Sequence, residues 1–146
     1  MRATHAKAVA KYDVLREQAR SLAKSSLPSH LSRLELDGMG GAAIAAFRTW
    51  EDLPERKVDW DWTFATSYCR RYPKAFDLSV WNKNTLLSLT LGRPTYKGKS
   101  IRMDFIEKAP NIDIYSGQLF SISQLAYETY GRLIGQILLQ KMEAFT

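Results

Sequence analysis

The sequence predicts an α+β fold, and three observations carry that prediction. Residues 76–107 alternate apolar and polar side chains through three short runs. From Gly117 onward the apolar spacing changes to steps of three and four. Thr4 to Ser25 holds another apolar stripe at that helical spacing. A period of two marks half-buried strands, and a period of 3.6 marks helices facing a core. The expected architecture is N-terminal helices, an antiparallel β-meander over about 76–107, and a long helix packed on the sheet.

In chain order, the first helix is expected over Thr4 to Ser25, with Thr4 as its cap. Val9, Tyr12, Leu15, Ala19, Leu22 and Ala23 form one stripe. Ser25-Ser26-Leu27-Pro28 ends it, and a second short helix is expected from Ser29 to about Leu36. Asp37-Gly38-Met39-Gly40-Gly41 has high backbone freedom. It is not a phosphate-binding fingerprint, because no Lys-Ser or Lys-Thr follows it and its spacing is wrong. A helix is expected over Ala42 to Trp50, then a polar linker over Asp52 to Lys57. Asp59 is placed to cap a helix over Trp60 to Arg71, with Trp60, Phe64 and Tyr68 on one face. Trp60 and Trp62 are expected to pack that helix against the sheet. Arg70, Arg71, Tyr72 and Lys74 make a small basic cluster before the meander.

In the meander, Phe76, Leu78 and Val80 alternate with Asp77, Ser79 and Trp81. Asn82-Lys83-Asn84 supplies residues that tolerate the left-handed backbone of a tight hairpin. Leu86, Leu87, Leu89 and Leu91 follow, and Gly92-Arg93-Pro94 is expected to break that strand. The next turn is expected over Tyr96 to Lys99. Ile101, Met103 and Phe105 then share one face, with Arg102, Asp104 and Ile106 on the other. Ala109-Pro110 stops the third run, because proline cannot donate to a ladder. After a loop over Asn111 to Ser116, a helix of about five turns is expected from Gly117, with Ser116 at its cap, to near Gly135. Residues 136–142 (QILLQKM) read equally as a continuation of that helix or as a fourth strand. As a strand, they would leave an apolar edge, and pairing with a second copy would cover it.

The 146 residues suit one domain: a helical part over 1–57, then the sheet and main helix over 58–146. Apolar residues at 45% and charged residues at 25% are a globular composition. A single cysteine, Cys69, excludes an internal disulfide and fits a reducing compartment or simple indifference to redox. With no apolar run near 18 residues and no secretory pattern, no membrane partner is expected and the cytoplasm is the default. His5 and His30 are the only histidines, and no metal-ligand spacing can be built from them with Cys69. The net charge is +6, and residues 1–33 hold five of those six excess positive charges. An anionic partner — nucleic acid, a nucleoprotein complex or an acidic protein — is therefore expected along the first helix, at Lys7, Lys11 and Lys24.

The order of elements resembles the N-terminal two thirds of the GNAT acetyltransferase fold. The stretch KAFDLSVWNKNTLLSLTLGRPTYKGKSIRMDFIE resembles its second, third and fourth strands. YETYGRLIG followed by ILLQKM resembles the end of its main helix and its fifth strand. VDWDW ahead of a helix, and RYPKAFDLSVW after it, resemble a subgroup of small bacterial GNAT-like proteins. The resemblance covers about 58–142. It implies an acetyl-CoA site on the fourth strand, at Phe105 and Ile106, and on the loop entering the main helix, at Ser116, Gly117 and Gln118. It also implies a general base on that strand, at Asp104 or Glu107, for attack of an amine on the thioester. The loop departs from the family's Gln/Arg-x-x-Gly-x-Gly/Ala: only Gly117 matches, it carries no basic residue, and it contains Asp113. The chain also ends before the family's last helix and two strands. Three functions are therefore expected as alternatives: a GNAT-like N-acetyltransferase or acyl-CoA-binding domain; a non-catalytic binding or inhibitor protein, such as a mobile-element product acting on a host nucleoprotein complex; or a nucleic-acid binder working through the basic first helix.

Overall fold

The computed structural model describes residues 2–95 and 100–143, with residues 2, 3 and 136–143 entering as backbone. Four strands, β1 (Leu34–Asp37), β2 (Phe76–Asn82), β3 (Thr85–Pro94) and β4 (Ile101–Lys108), form one antiparallel sheet in the order β1-β2-β3-β4. Four helices accompany it: α1 (Arg2–Ser25), α2 (Gly41–Arg48), α3 (Ala65–Arg71) and α4 (Leu119–Glu143). The expected turn at Tyr96 to Lys99 lies outside the described residues.

Helices cover both faces of the sheet, and each face has its own apolar cluster. On one face α1 and α4 pack over Phe76, Leu78, Val80 and Leu87. Phe76 lies at the centre of this layer, stacked on Tyr130 at 4.7 Å and edge-on to Tyr127 at 4.8 Å. On the other face Met39, Ala43, Phe47 and Trp50, with Trp62 and Ala65, pack over Leu86, Leu89 and Leu91. β3 is buried from Leu86 to Gly92 because both its faces are covered there, which explains its nearly continuous apolar run.

The meander and the long helix form as the periodicity predicts, but several details differ. Ser29–Leu31 is a single 3-10 turn, and Leu34–Asp37 is a strand rather than the end of a helix. The N-terminal part is therefore not wholly helical. β1 pairs with β2, Leu36 opposite Val80, and Leu34 is fully buried. Four residues of alternation are too few to separate a strand from a helix turn, and only the pairing decides. Thr4 lies inside α1, which begins at Arg2. The capping carboxylate is Asp61, not Asp59. It accepts from the Thr63 amide at the start of a 3-10 turn, Trp62–Phe64, and α3 starts at Ala65.

Gly92 does not end β3, which runs on to Pro94. Leu91 faces Phe105 and Gly92 faces Met103, so Asp104 is an extra residue and makes a bulge in β4. Here the two backbones approach so closely that a Cβ on Gly92 would lie 1.7 Å from the Arg102 carbonyl oxygen. The bulge also changes the faces of β4: Ile101 and Met103 pack with the α1/α4 layer, and Phe105 joins the opposite cluster.

α4 begins two residues later than expected and continues through Gly135 to Glu143. Residues 136–142 are helical, so the strand alternative and the exposed edge it would leave do not arise. Among the described residues β4 pairs only with β3, and the bulge at Asp104 interrupts its outer edge, a common protection against strand addition.

Candidate functional site

Of the two carboxylates expected to act as a base, Glu107 is buried, with 7% of its surface exposed. Its oxygens accept from Arg56 Nε at 2.8 Å, Arg56 Nη2 at 3.1 Å and Trp62 Nε1 at 2.8 Å. Arg56 also donates to the Trp60 carbonyl and lies over the Phe47 ring at 5.1 Å. The hydrogen bond to Glu107 is the main cause raising the Arg56 pKa above its ordinary value. Glu107 thus ties the 50–62 segment to β4. Asp104, on the bulge, is exposed; Tyr68 Oη lies 3.4 Å from one oxygen and Arg102 Nε 3.4 Å from the other. Burial, with Asp104 adding, pushes the Tyr68 phenol up to about 12.

The Phe105 ring meets Trp60, Phe64 and Tyr68 edge-on, with centroids 5.4, 5.2 and 6.1 Å away. These three aromatics do gather on one side as the spacing predicts, although Trp60 precedes the helix. Ile106 stays 38% exposed. Ser116, Gly117 and Gln118 lie in the turn before α4, which closes on itself. The Ser116 amide donates to the Asp113 carbonyl at 3.1 Å, and the Gln118 and Leu119 amides both donate to the Tyr115 carbonyl, at 2.9 and 3.1 Å. Tyr115 takes a left-handed backbone with φ 63°. Between β4 and α4 lies an open groove of about 560 Å³, lined by Ile101, Met103, Tyr127 and Phe120, the last 55% exposed.

The basic residues of α1 are distributed unlike a docking face. Arg16 and Arg20 are 2% and 8% exposed. β1 stops pairing with β2 at Ser79, and the two guanidinium groups reach the carbonyls beyond that point. Arg16 donates to the Pro73 and Ala75 carbonyls at 2.8 and 2.9 Å, and to Asp13. Arg20 donates to the Asp77 carbonyl and, at 2.7 Å, to its carboxylate. The other Asp77 oxygen accepts the Met39 amide at 2.7 Å. Lys24 donates to the Ser32 and Leu34 carbonyls and lies 3.5 Å from Glu35. Lys11 lies 5.4 Å from the Tyr12 ring, and Lys7 is exposed. The cleft beside this network is lined by Asp13, Glu17 and Asp37 as well as the arginines, so it does not suit an anion. Cys69, 3.9 Å from Asp77, is held up to about 12 by burial, with the Asp77 charge adding; a thiol so protonated is a poor nucleophile.

A second basic group does face outward. Arg93 lies over the Tyr72 ring at 3.8 Å, with Arg71 5.5 Å from the same ring and the Tyr68 ring tilted against it at 5.0 Å. Arg93 is directly opposite Arg102 across the β3–β4 ladder, and the Arg102 side chain is 64% exposed. The basic run at 70–74 contains part of this surface, but nothing in the sequence joins it to Arg93 and Arg102.

Among the described residues no cluster of three or more His, Cys, Asp or Glu is placed to hold a metal ion, and no helix is long and apolar enough to cross a membrane. No protein-family model, curated protein or solved structure matches the chain.

Proposed function

We propose that the chain is a non-catalytic binding protein for an anionic partner. The turn ahead of α4 is the observation that supports this most. Of Ser116, Gly117 and Gln118, the residues a GNAT-like loop would set at a pyrophosphate, Ser116 and Gln118 donate their amides to carbonyls of their own turn. Asp113 adds negative charge to it, and no arginine or lysine between 111 and 118 offsets that charge. Glu107 could take a proton from an amine only by giving up a buried ion pair, whose separation strands Arg56 in an apolar layer. The net charge of +6 favours anions: nucleic acid, a nucleoprotein complex such as one a mobile-element product would inhibit, or an acidic protein.

The acyl-CoA reading, as a GNAT-like N-acetyltransferase or binding domain, is favoured by the groove between β4 and α4 with its exposed Phe120. Thermal melting with acetyl-CoA separates the two. A ligand at a hundred times its dissociation constant adds about 2.7 kcal/mol. The binding-protein reading expects no shift with acetyl-CoA and retention on an anionic resin that weakens with salt. A clear rise in melting temperature with acetyl-CoA would overturn the non-catalytic reading.

A further inference from the structure

We infer that the surface formed by Arg71, Tyr72, Arg93 and Arg102 binds single-stranded nucleic acid. This rests on the anionic-partner reading and specifies its surface and ligand. Across an antiparallel ladder, like charges directly opposite repel, yet Arg93 faces Arg102 there. Asp104 is the acid close to them, 3.4 Å from Arg102. One phosphate set between the two guanidinium groups would relieve that repulsion.

The chemistry is that of phosphate rather than of a general anion. All three cations are arginines, whose planar forks bind phosphate through paired hydrogen bonds and stack on aromatic rings. Arg93 already stacks on Tyr72. Tyr68 and Tyr72 are half-buried and adjacent, so their rings are fixed in place at little further entropic cost. Guanidinium groups beside fixed rings suit a strand whose bases are free to stack, and stacking tolerates any sequence. A duplex keeps its bases paired and stacked inside its grooves, so they are not free to stack on the half-buried rings of Tyr68 and Tyr72.

The test uses the full chain and a labelled single strand of about twelve nucleotides, within the usual site size, followed by fluorescence anisotropy. The native chain is expected to bind it, more weakly as salt rises from about 50 to about 200 mM. Arg93→Gln with Arg102→Gln should weaken binding roughly a hundredfold and lower the salt slope by about two. Tyr72→Ala should cost roughly tenfold, and Tyr72→Phe, which keeps the ring, should bind like the native chain. Melting curves verify that each variant is folded. Four results overturn the inference. Native affinity in the arginine pair variant places the site elsewhere. Equal or tighter binding of a duplex of the same length removes the single-strand assignment. Binding of heparin or an acidic peptide without the oligonucleotide contradicts the ligand class while leaving the anionic-partner reading intact. No binding of any of these anions contradicts both.

Discussion

The arginines of α1 and those around Tyr72 carry the same charge and meet opposite ends. Arg16 and Arg20 are buried, and each has carbonyl and carboxylate acceptors within reach. Arg93 rests against the Tyr72 ring, and Arg102, opposite it in the ladder, lies 3.4 Å from Asp104. Desolvating a guanidinium costs several kcal/mol, so an arginine turns inward only where the fold supplies acceptors. β2 supplies them because β1 is short: the carbonyls of Ala75 and Asp77 lie beyond the last β1 partner. At the far end of β3 and β4 Arg102 stays in solvent and Arg93 is half-buried against Tyr72; mutual repulsion there costs only tenths of a kcal/mol and salt screens it. A charge excess in a sequence therefore says how many cations there are, not which of them a partner can reach.

The largest effect expected on this contrast is at Asp77. Asp77→Ala leaves Arg16 and Arg20 buried without their shared carboxylate, and should destabilise the fold by about 3–5 kcal/mol, measured by urea unfolding. Affinity for an anionic ligand, corrected for the folded fraction, should be unchanged. An increase in that affinity would show that the α1 arginines are available after all. Gly92→Ala comes next. Its Cβ collides with backbone, so β4 must shift at the bulge, and both stability and any binding through Arg93 and Arg102 should fall, by at least about 2 kcal/mol in stability. Lys24→Ala removes two hydrogen bonds to carbonyls and should cost about 1 kcal/mol. Lys7→Ala, on the exposed face of α1, should stay within about 0.5 kcal/mol and leave binding unaltered.

Cys69 sharpens the comparison from the chemical side. Its folded pKa is raised from 9.0 to about 12, so folding favours the neutral thiol. That contribution to stability is fully present below 9.0 and lost as pH rises through about 12. Native protein should therefore react slowly with iodoacetamide near neutral pH and quickly in denaturant. Rapid native alkylation would mean that the Asp77 network opens readily.

The meander was legible from its period-two runs and the helix from the change of spacing at Gly117, because both signals extend over many residues. β1 was not, since Leu34 and Leu36 alternate for only two steps. The bulge was not either: Ile101, Met103 and Phe105 alternate evenly in the sequence, and only pairing with β3 turns Phe105 to the other side. Glu107 reads as a surface carboxylate until Arg56, 51 positions earlier, is brought to it. Arg16 and Arg20 read as surface cations for the same reason, with their acceptors 57 and 59 positions away. The outward basic surface also depends on register, which places Arg93 against Tyr72 and opposite Arg102.

The central claim is that an anionic partner reads the Arg93/Arg102 surface and not α1. Two double charge reversals test it most directly, because each lowers the net charge by the same amount: Lys7→Glu with Lys11→Glu, both on α1, and Arg93→Glu with Arg102→Glu. Oligonucleotide affinity should fall only slightly in the first, as a long-range effect of net charge, and by at least about a hundredfold in the second. Equal losses in the two would contradict the account, since binding would then follow total charge alone; a larger loss in the first would place the site on α1.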